Sequence, residues 1–290
     1  MLPLLLLSLA ASLATATKIL VPLYSWSPDC WPELQTAAAA NPDVEFFLIL
    51  NPNSGPIRDV QDPSLYCVPT LRARIPRSTL IGYVRTGYGS RPAGQVDADV
   101  ATYASWADLR VDVQGAGAPK LDGIFFDEVP DGTTRKLKDL YAGYAETARA
   151  AFPNGTVVMN PGTNVGPDLY ADADLVVAPS ALPPAEYLPS SAIMIHSFPP
   201  APTPPNSTSN LTADPILLST LQDLIPAAGA VYLTDLNIKQ TDVYGSFGPD
   251  WQDFVKAAAG LNARANVTTS AATPTETLAK ASTGVPTFAC

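Results

Sequence analysis

The sequence predicts one α/β domain, a (β/α)8 barrel of the TIM type, and three observations carry that expectation. Short β-branched or aromatic runs recur along the chain, helix-length segments separate most of them, and eight such runs occupy about 245 residues, the size of this fold. The alternative, an open doubly wound sheet, lacks the glycine-rich phosphate fingerprint expected after its first strand. In order, the runs are Ile19 to Tyr24, Phe46 to Leu50, Thr79 to Tyr83, Gly123 to Asp127, Val157 to Asn160, Leu175 to Val177, Ala192 to His196 and Ala230 to Thr234. Most are continuously apolar, as strands covered on both faces should be. Between them Pro32 to Ala40, Ser64 to Arg74, Val96 to Leu109, Arg135 to Phe152 and Asp214 to Leu224 read as helices, with Trp251 to Leu261 closing the set. Ser197 to Ser209, rich in Pro, Ser and Asn, reads as a rigid surface loop. The Ala, Ser and Thr of residues 263–290 have few large side chains to bury, and read as a mobile tail after a domain at 18–262.

Composition narrows the function. Proline is 30 of 290 residues, about twice the usual share, yet 47% apolar content is ordinary and excludes wholesale disorder. Seventeen Lys and Arg against 27 Asp and Glu give a net charge of −10, which repels phosphate backbones and argues against a nucleic-acid partner. One His and three Cys fall short of a Cys/His zinc site, and no other metal or cofactor is called for.

The run from Leu4 to Leu7, continuing to Ala14-Thr15-Ala16, has the length and small-residue ending of a secretory leader (residues 1–17, cut near Ala16), although a basic start is missing. No later segment is long and apolar enough to span a membrane, so a secreted, extracellular or wall-associated protein, monomeric, is expected. In that compartment Cys30 and Cys67 are placed to close a disulfide, leaving Cys290 as the odd one. Asn154, Asn206, Asn210 and Asn266 head Asn-X-Ser/Thr triplets and are candidate glycan acceptors.

The sharpest chemical feature is Leu121-Asp122-Gly123-Ile124-Phe125-Phe126-Asp127-Glu128-Val129-Pro130, an apolar strand that delivers two carboxylates and stops at proline. In a barrel those acids stand at the catalytic rim. Glycoside hydrolysis needs such groups, one protonated to release the leaving oxygen and one ionised to stabilise or attack the oxocarbenium-like centre. The plainer reading is that one of them caps the following helix or pairs with Arg135. Other polar groups fall at neighbouring strand ends: Tyr24, Asn51, Arg85 and Tyr88, Asn160, His196 and Asp235. Singly each has a structural explanation. Together they make an aromatic, amide and acidic mouth suited to a neutral or cationic sugar.

Five segments carry a family resemblance. Ile19-Leu20-Val21-Pro22-Leu23-Tyr24, Ile49-Leu50-Asn51-Pro52-Asn53-Ser54-Gly55-Pro56, Ile81-Gly82-Tyr83-Val84-Arg85-Thr86-Gly87-Tyr88-Gly89, Gly123-Ile124-Phe125-Phe126-Asp127-Glu128 and Met159-Asn160-Pro161-Gly162-Thr163 resemble, in order and spacing from about Ile19 to Trp251, the spherulin-4-like (spherulation-specific family 4) proteins. That family is assigned to glycoside hydrolase family 135 and is widespread in fungi. The resemblance implies a (β/α)8 barrel and endo-cleavage of α-1,4-linked N-acetylgalactosamine in galactosaminogalactan, with the family's adjacent Asp and Glu falling on Asp127 and Glu128. The family's further glutamate at the end of strand six is absent, because Leu175-Val176-Val177 runs into Ala178-Pro179-Ser180. Glu186 or Asp235 is then a replacement acid, or the substrate's N-acetyl group serves as nucleophile. The alternative is a weakened or inactive barrel that binds carbohydrate or serves in a wall or spore coat.

Overall fold

The computed structural model describes residues 16–112, 117–131, 134–178, 182–197, 215–225, 227–237, 239 and 241–271. Eight parallel strands close into a barrel in chain order. They are β1 (Lys18–Leu23), β2 (Phe46–Leu50), β3 (Ser78–Arg85), β4 (Gly123–Asp127), β5 (Thr156–Met159), β6 (Leu175–Ala178), β7 (Ser191–Ile195) and β8 (Ala230–Leu233). Around them lie α1 (Pro32–Ala40), α2 (Pro63–Tyr66), α3 (Val68–Arg74), α4 (Ala93–Ser105), α5 (Arg135–Ala151), α6 (Pro167–Asp172), α7 (Pro215–Leu224) and α8 (Trp251–Ala271). The eight expected strands are all present. The expected helix from Ser64 to Arg74 is instead two, meeting at Cys67, and α6 is an addition. Between β6 and β7 a 3-10 turn, Ala185–Ser190, stands in place of a helix. The closing helix reaches Ala271, beyond the Leu261 expected and into the segment read as a tail.

Period-two alternation sorts the strand side chains into two apolar layers. Leu20, Phe47, Ile49, Ile81, Tyr83, Phe125, Val158, Leu175, Val177, Ala192 and Ala230 fill the barrel interior. The alternate residues, among them Ile19, Val21, Leu48, Leu80, Ile124 and Phe126, pack outward against the helices. In α5 Tyr141, Tyr144, Ala145 and Ala148 recur at helical spacing and are buried, while the Thr134 hydroxyl accepts the Leu137 N–H at its start. Glycine is required twice at these contacts. A Cβ on Gly82 would lie 2.7 Å from the ring of Tyr103, and one on Gly123 would lie 2.0 Å from the Thr156 carbonyl oxygen.

Cys30 and Cys67 form a disulfide, joining the β1–α1 loop to the junction of α2 and α3. Among the described residues no helix is long and apolar enough to cross a membrane. The expected leader lies almost wholly in residues 1–15, and with Asn206, Asn210, Cys290, most of the Ser197 to Ser209 loop and the tail from 272 onward it lies outside the described residues.

Candidate active site

The inner rows of the barrel lead directly to the site. Ile81, Tyr83 and Arg85 of β3 align with Gly123, Phe125 and Asp127 of β4. Because Tyr83 and Phe125 belong to the interior layer, Arg85 and Asp127 continue that layer at the carboxyl end. By the same alternation Tyr24 follows Leu20 two steps on, Asn51 follows Ile49, Asn160 follows Val158 and His196 follows Ala192. The strand-end groups singled out in the sequence are therefore mostly inward-facing ones at the open end.

Asp127 is bonded at both oxygens. The Tyr83 phenol donates to Oδ2 at 2.5 Å and Asn160 Nδ2 donates to Oδ1 at 2.7 Å. Burial first, then the bond and charge of Asp127, raise the Tyr83 phenol well above its usual value, so it stays a donor. Three adjacent strands thus fix one carboxylate.

Glu128 departs from strand geometry. Its φ of 54° is left-handed, a conformation that costs a non-glycine residue ~1–3 kcal/mol and needs outside support. That bend breaks the alternation that would otherwise send Glu128 to the outer face. The support is a set of hydrogen bonds to the two carbonyls flanking it. Thr86, wholly buried, donates its backbone N–H to the Asp127 carbonyl at 3.0 Å, and its hydroxyl lies 2.8 Å from the carbonyl oxygens of both Asp127 and Glu128. Tyr88 N–H donates to the Glu128 carbonyl at 2.7 Å. The Tyr141 hydroxyl is 2.5 Å from that of Thr86, and burial pushes its phenol up to about 12, which keeps it protonated. Tyr141 can therefore donate to Thr86, freeing the single Thr86 proton for the carbonyls. The Glu128 side chain turns to the rim, where its Oε2 accepts from Arg85 Nε at 2.8 Å.

An aromatic wall surrounds the pair. Tyr24 packs edge-on against Tyr83 and Tyr244, with centroids 5.5 and 5.4 Å away. Burial and then the Asp127 charge raise the Tyr24 phenol well above its usual value. Asn51 has a buried Oδ1 without a hydrogen-bond partner. His196 Nδ1 lies 3.1 Å from the Ser197 hydroxyl, and Tyr88 is 63% exposed at the rim.

Two candidate acids are placed elsewhere. Glu186 is an exposed residue of the 3-10 turn that leads into the start of β7, where the Gly229 N–H, just before β8, donates to the Leu188 carbonyl. The turn runs directly into the start of β7, so Glu186 lies toward the amino-terminal end of the strands and away from the end that carries Asp127 and Glu128. Asp235 is out of phase with the inner row of β8 and packs under Gly248, where an added Cβ would come within 1.9 Å of its Oδ1. Burial raises its carboxyl, against opposing hydrogen bonds from its own backbone and that of Asp250. Arg135, the plain partner considered for the acid pair, pairs instead with Asp139. Of the glycan candidates, Asn154 is exposed in the turn before β5, and Asn266 falls within α8.

The sequence profile of spherulation-specific family 4 (Spherulin4) matches residues 18–258. The chain belongs to this family. Spherulin-4 of Physarum polycephalum is 32% identical over 161 residues, which is 56% of this chain and 44% of that protein, so the match spans less than half of the relative. The crystal structure of Aspergillus clavatus Sph3 in complex with GalNAc superposes with a TM-score of 0.68 at 25% identity, over 85% of this chain and 99% of that one. A GH2 β-galacturonidase from Eisenbergiella tayi shares the barrel alone, with a TM-score of 0.52, 8% identity, and coverage of 86% and 51%. Within the spherulation-specific scaffold, Tyr83, Thr86, Tyr141 and Tyr244 are the groups that the strand-end reading missed. Tyr83 was legible, lying on the inner row two positions before Arg85. Thr86 and Tyr141 meet only through the fold.

Proposed function

We propose that the protein is a secreted glycoside hydrolase that cleaves an amino-sugar polysaccharide internally, at α-1,4-linked N-acetylgalactosamine as in galactosaminogalactan. The observation that carries this reading is the pair at the end of β4, one carboxylate bonded at both oxygens and its neighbour turned to the rim. The GalNAc bound to the Aspergillus clavatus relative supports the substrate class. The leader-like start of the sequence and the Cys30–Cys67 disulfide support export.

The geometry supports the following roles. Asp127, accepting a hydrogen bond at each oxygen, is held in place to act as the electrostatic partner beside the anomeric carbon. Glu128 gives its proton to the departing glycosidic oxygen once a sugar displaces Arg85. With no acid at the end of β6, the glycosidic bond breaks toward an oxocarbenium ion, its electron pair leaving with the oxygen that Glu128 protonates. Asp127 stabilises that cation. Glu128, now a carboxylate, takes a proton from water as the water oxygen adds to the anomeric carbon, which completes the hydrolysis.

Glu128→Gln should lower release of reducing ends from N-acetylated polymer by about 10²–10⁴-fold while the protein still binds that polymer. Full activity in this variant overturns the role. A second reading, a sugar-binding barrel without catalysis, is favoured by the Arg85–Glu128 ion pair and the missing strand-six acid. Turnover by purified protein dismisses it.

A further inference from the structure

Among the described residues the large aromatic side chains are mostly buried or half-buried, which makes the exposed ones informative. Among the described residues Trp26 is 70% exposed and Tyr88 is 63% exposed. Both lie on loops that leave the carboxyl ends of strands, after β1 and β3. Trp26 is two residues past Tyr24, so its Cα is within about 7 Å of that of Tyr24, whose ring packs on Tyr83 beside Asp127. Tyr88 is one hydrogen bond from the Glu128 carbonyl.

Both loops are tied down. On the two sides of Trp26, the Ser25 hydroxyl accepts from Trp31 Nε1 at 3.3 Å, and the Ser27 hydroxyl accepts from the Trp31 N–H at 2.8 Å. The Cys30 N–H donates to the Ser27 carbonyl at 3.1 Å, and Cys30 is held by the disulfide to Cys67. Trp31 itself is buried, so an anchored indole and a displayed indole share one short loop. Leaving a rigid indole in water forgoes apolar burial that folding could have gained. A flat apolar face on a preorganised loop is instead suited to stacking on the C–H face of a pyranose ring, because little entropy is lost on binding.

We infer that Trp26 is a stacking platform for a sugar ring remote from the cleaved linkage, with Tyr88 as a second platform next to the acids, so that the polymer crosses the mouth over the β1, β2 and β3 loops. This rests on the polysaccharide reading above and adds the path of the chain. Loops two strands apart are separated by roughly 10 Å at their strand axes, so the two aromatics engage different residues of one oligosaccharide.

The test is binding and cleavage by the full chain, using α-1,4-linked N-acetylgalactosamine polymer and a disaccharide of the same linkage. Trp26→Ala should weaken retention of the polymer in affinity electrophoresis about 2–10-fold and raise its KM in step, leaving kcat and disaccharide binding unchanged. Trp26→Tyr should restore most of the loss. Equal polymer retention by wild type and Trp26→Ala overturns the inference, as does an equal loss for polymer and disaccharide or a wild type that does not retain the polymer. If the wild type retains the polymer but releases no reducing ends, the hydrolase reading falls, and the platform is judged on retention alone.

Discussion

In the first half of the barrel β1 pairs with β2 from Ile19 to Leu23, β2 with β3 from Phe46 to Leu50, and β3 with β4 from Ile81 to Arg85. In the second half β5 pairs with β6 only at Val158 and Met159, and β6 with β7 from Val176 to Ala178. The site follows the same division. Tyr24, Asn51, Tyr83, Arg85, Thr86, Asp127 and Glu128 come from β1 to β4 and the loops after them, and the second half bonds Asn160 to the acid pair. The disulfide also braces the first half. Catalysis by fixed charges needs groups held close to their productive positions, and a long, continuous ladder holds them better than a short one. The contrast teaches that the contacts holding the acid pair come from β3, β4 and β5, with Asp127 bonded from both neighbouring strands, while β1 and β2 bring Tyr24 and Asn51 to the same end.

The largest effect should separate the halves by activity. Asp127→Asn is expected to cut reducing-end release by about 10²–10⁴-fold with the fold intact by circular dichroism. His196→Ala, from the second half and in contact with Ser197, should cost far less. Equal losses in the two variants would erase the distinction. Next comes the brace. Replacing Cys30 and Cys67 together by serine opens a link across 37 residues and should lower the unfolding free energy by about 3–4 kcal/mol, read from urea midpoints. A negligible shift would mean that the first half owes its order to packing alone.

Much of this division was legible in the residues. Continuous apolar runs fixed all eight strands, since a strand covered on both faces has no polar side to disguise it. The acid pair stood out because two charges ended such a run. What stayed hidden depends on phase or on distance. From its place after β8 Asp235 reads as a mouth residue, but alternation from Ala230 and Tyr232 gives the inner position to Thr234. Glu186 follows strand six closely in sequence, yet it lies in a brief 3-10 turn that runs directly into the start of β7. Thr86 and Tyr141 are 55 residues apart, and no local pattern announces a buried hydroxyl pair.

That pair offers a smaller, sharper cut through the first half. Thr86→Val keeps the shape but removes the hydroxyl that bonds the Asp127 and Glu128 carbonyls, leaving each carbonyl its backbone donor and the Tyr141 hydroxyl without its 2.5 Å partner, at a cost of ~1–3 kcal/mol. If the bend at Glu128 positions the acid, kcat should fall about 10-fold or more with KM little changed, and Thr86→Ser should recover it. A loss of stability with kcat preserved would reduce Thr86 to a structural role.

The smallest expected effect lies in the second half, at Asp235. Burial raises its folded carboxyl above the usual carboxylate value, despite the opposing backbone bonds. The linkage sign follows directly. The protonated form is favoured by folding, so the stabilisation is fully present below the unfolded value and is lost as pH rises through the folded one. At neutral pH the ionised group is a modest burden, made smaller by its partial contact with water. Asparagine cannot ionise, so Asp235→Asn should gain on the wild type as urea unfolding is moved from acid to neutral pH. The reverse trend would show that the carboxylate anchors the start of α8 through the Asp250 backbone, and that this half, too, depends on a placed charge.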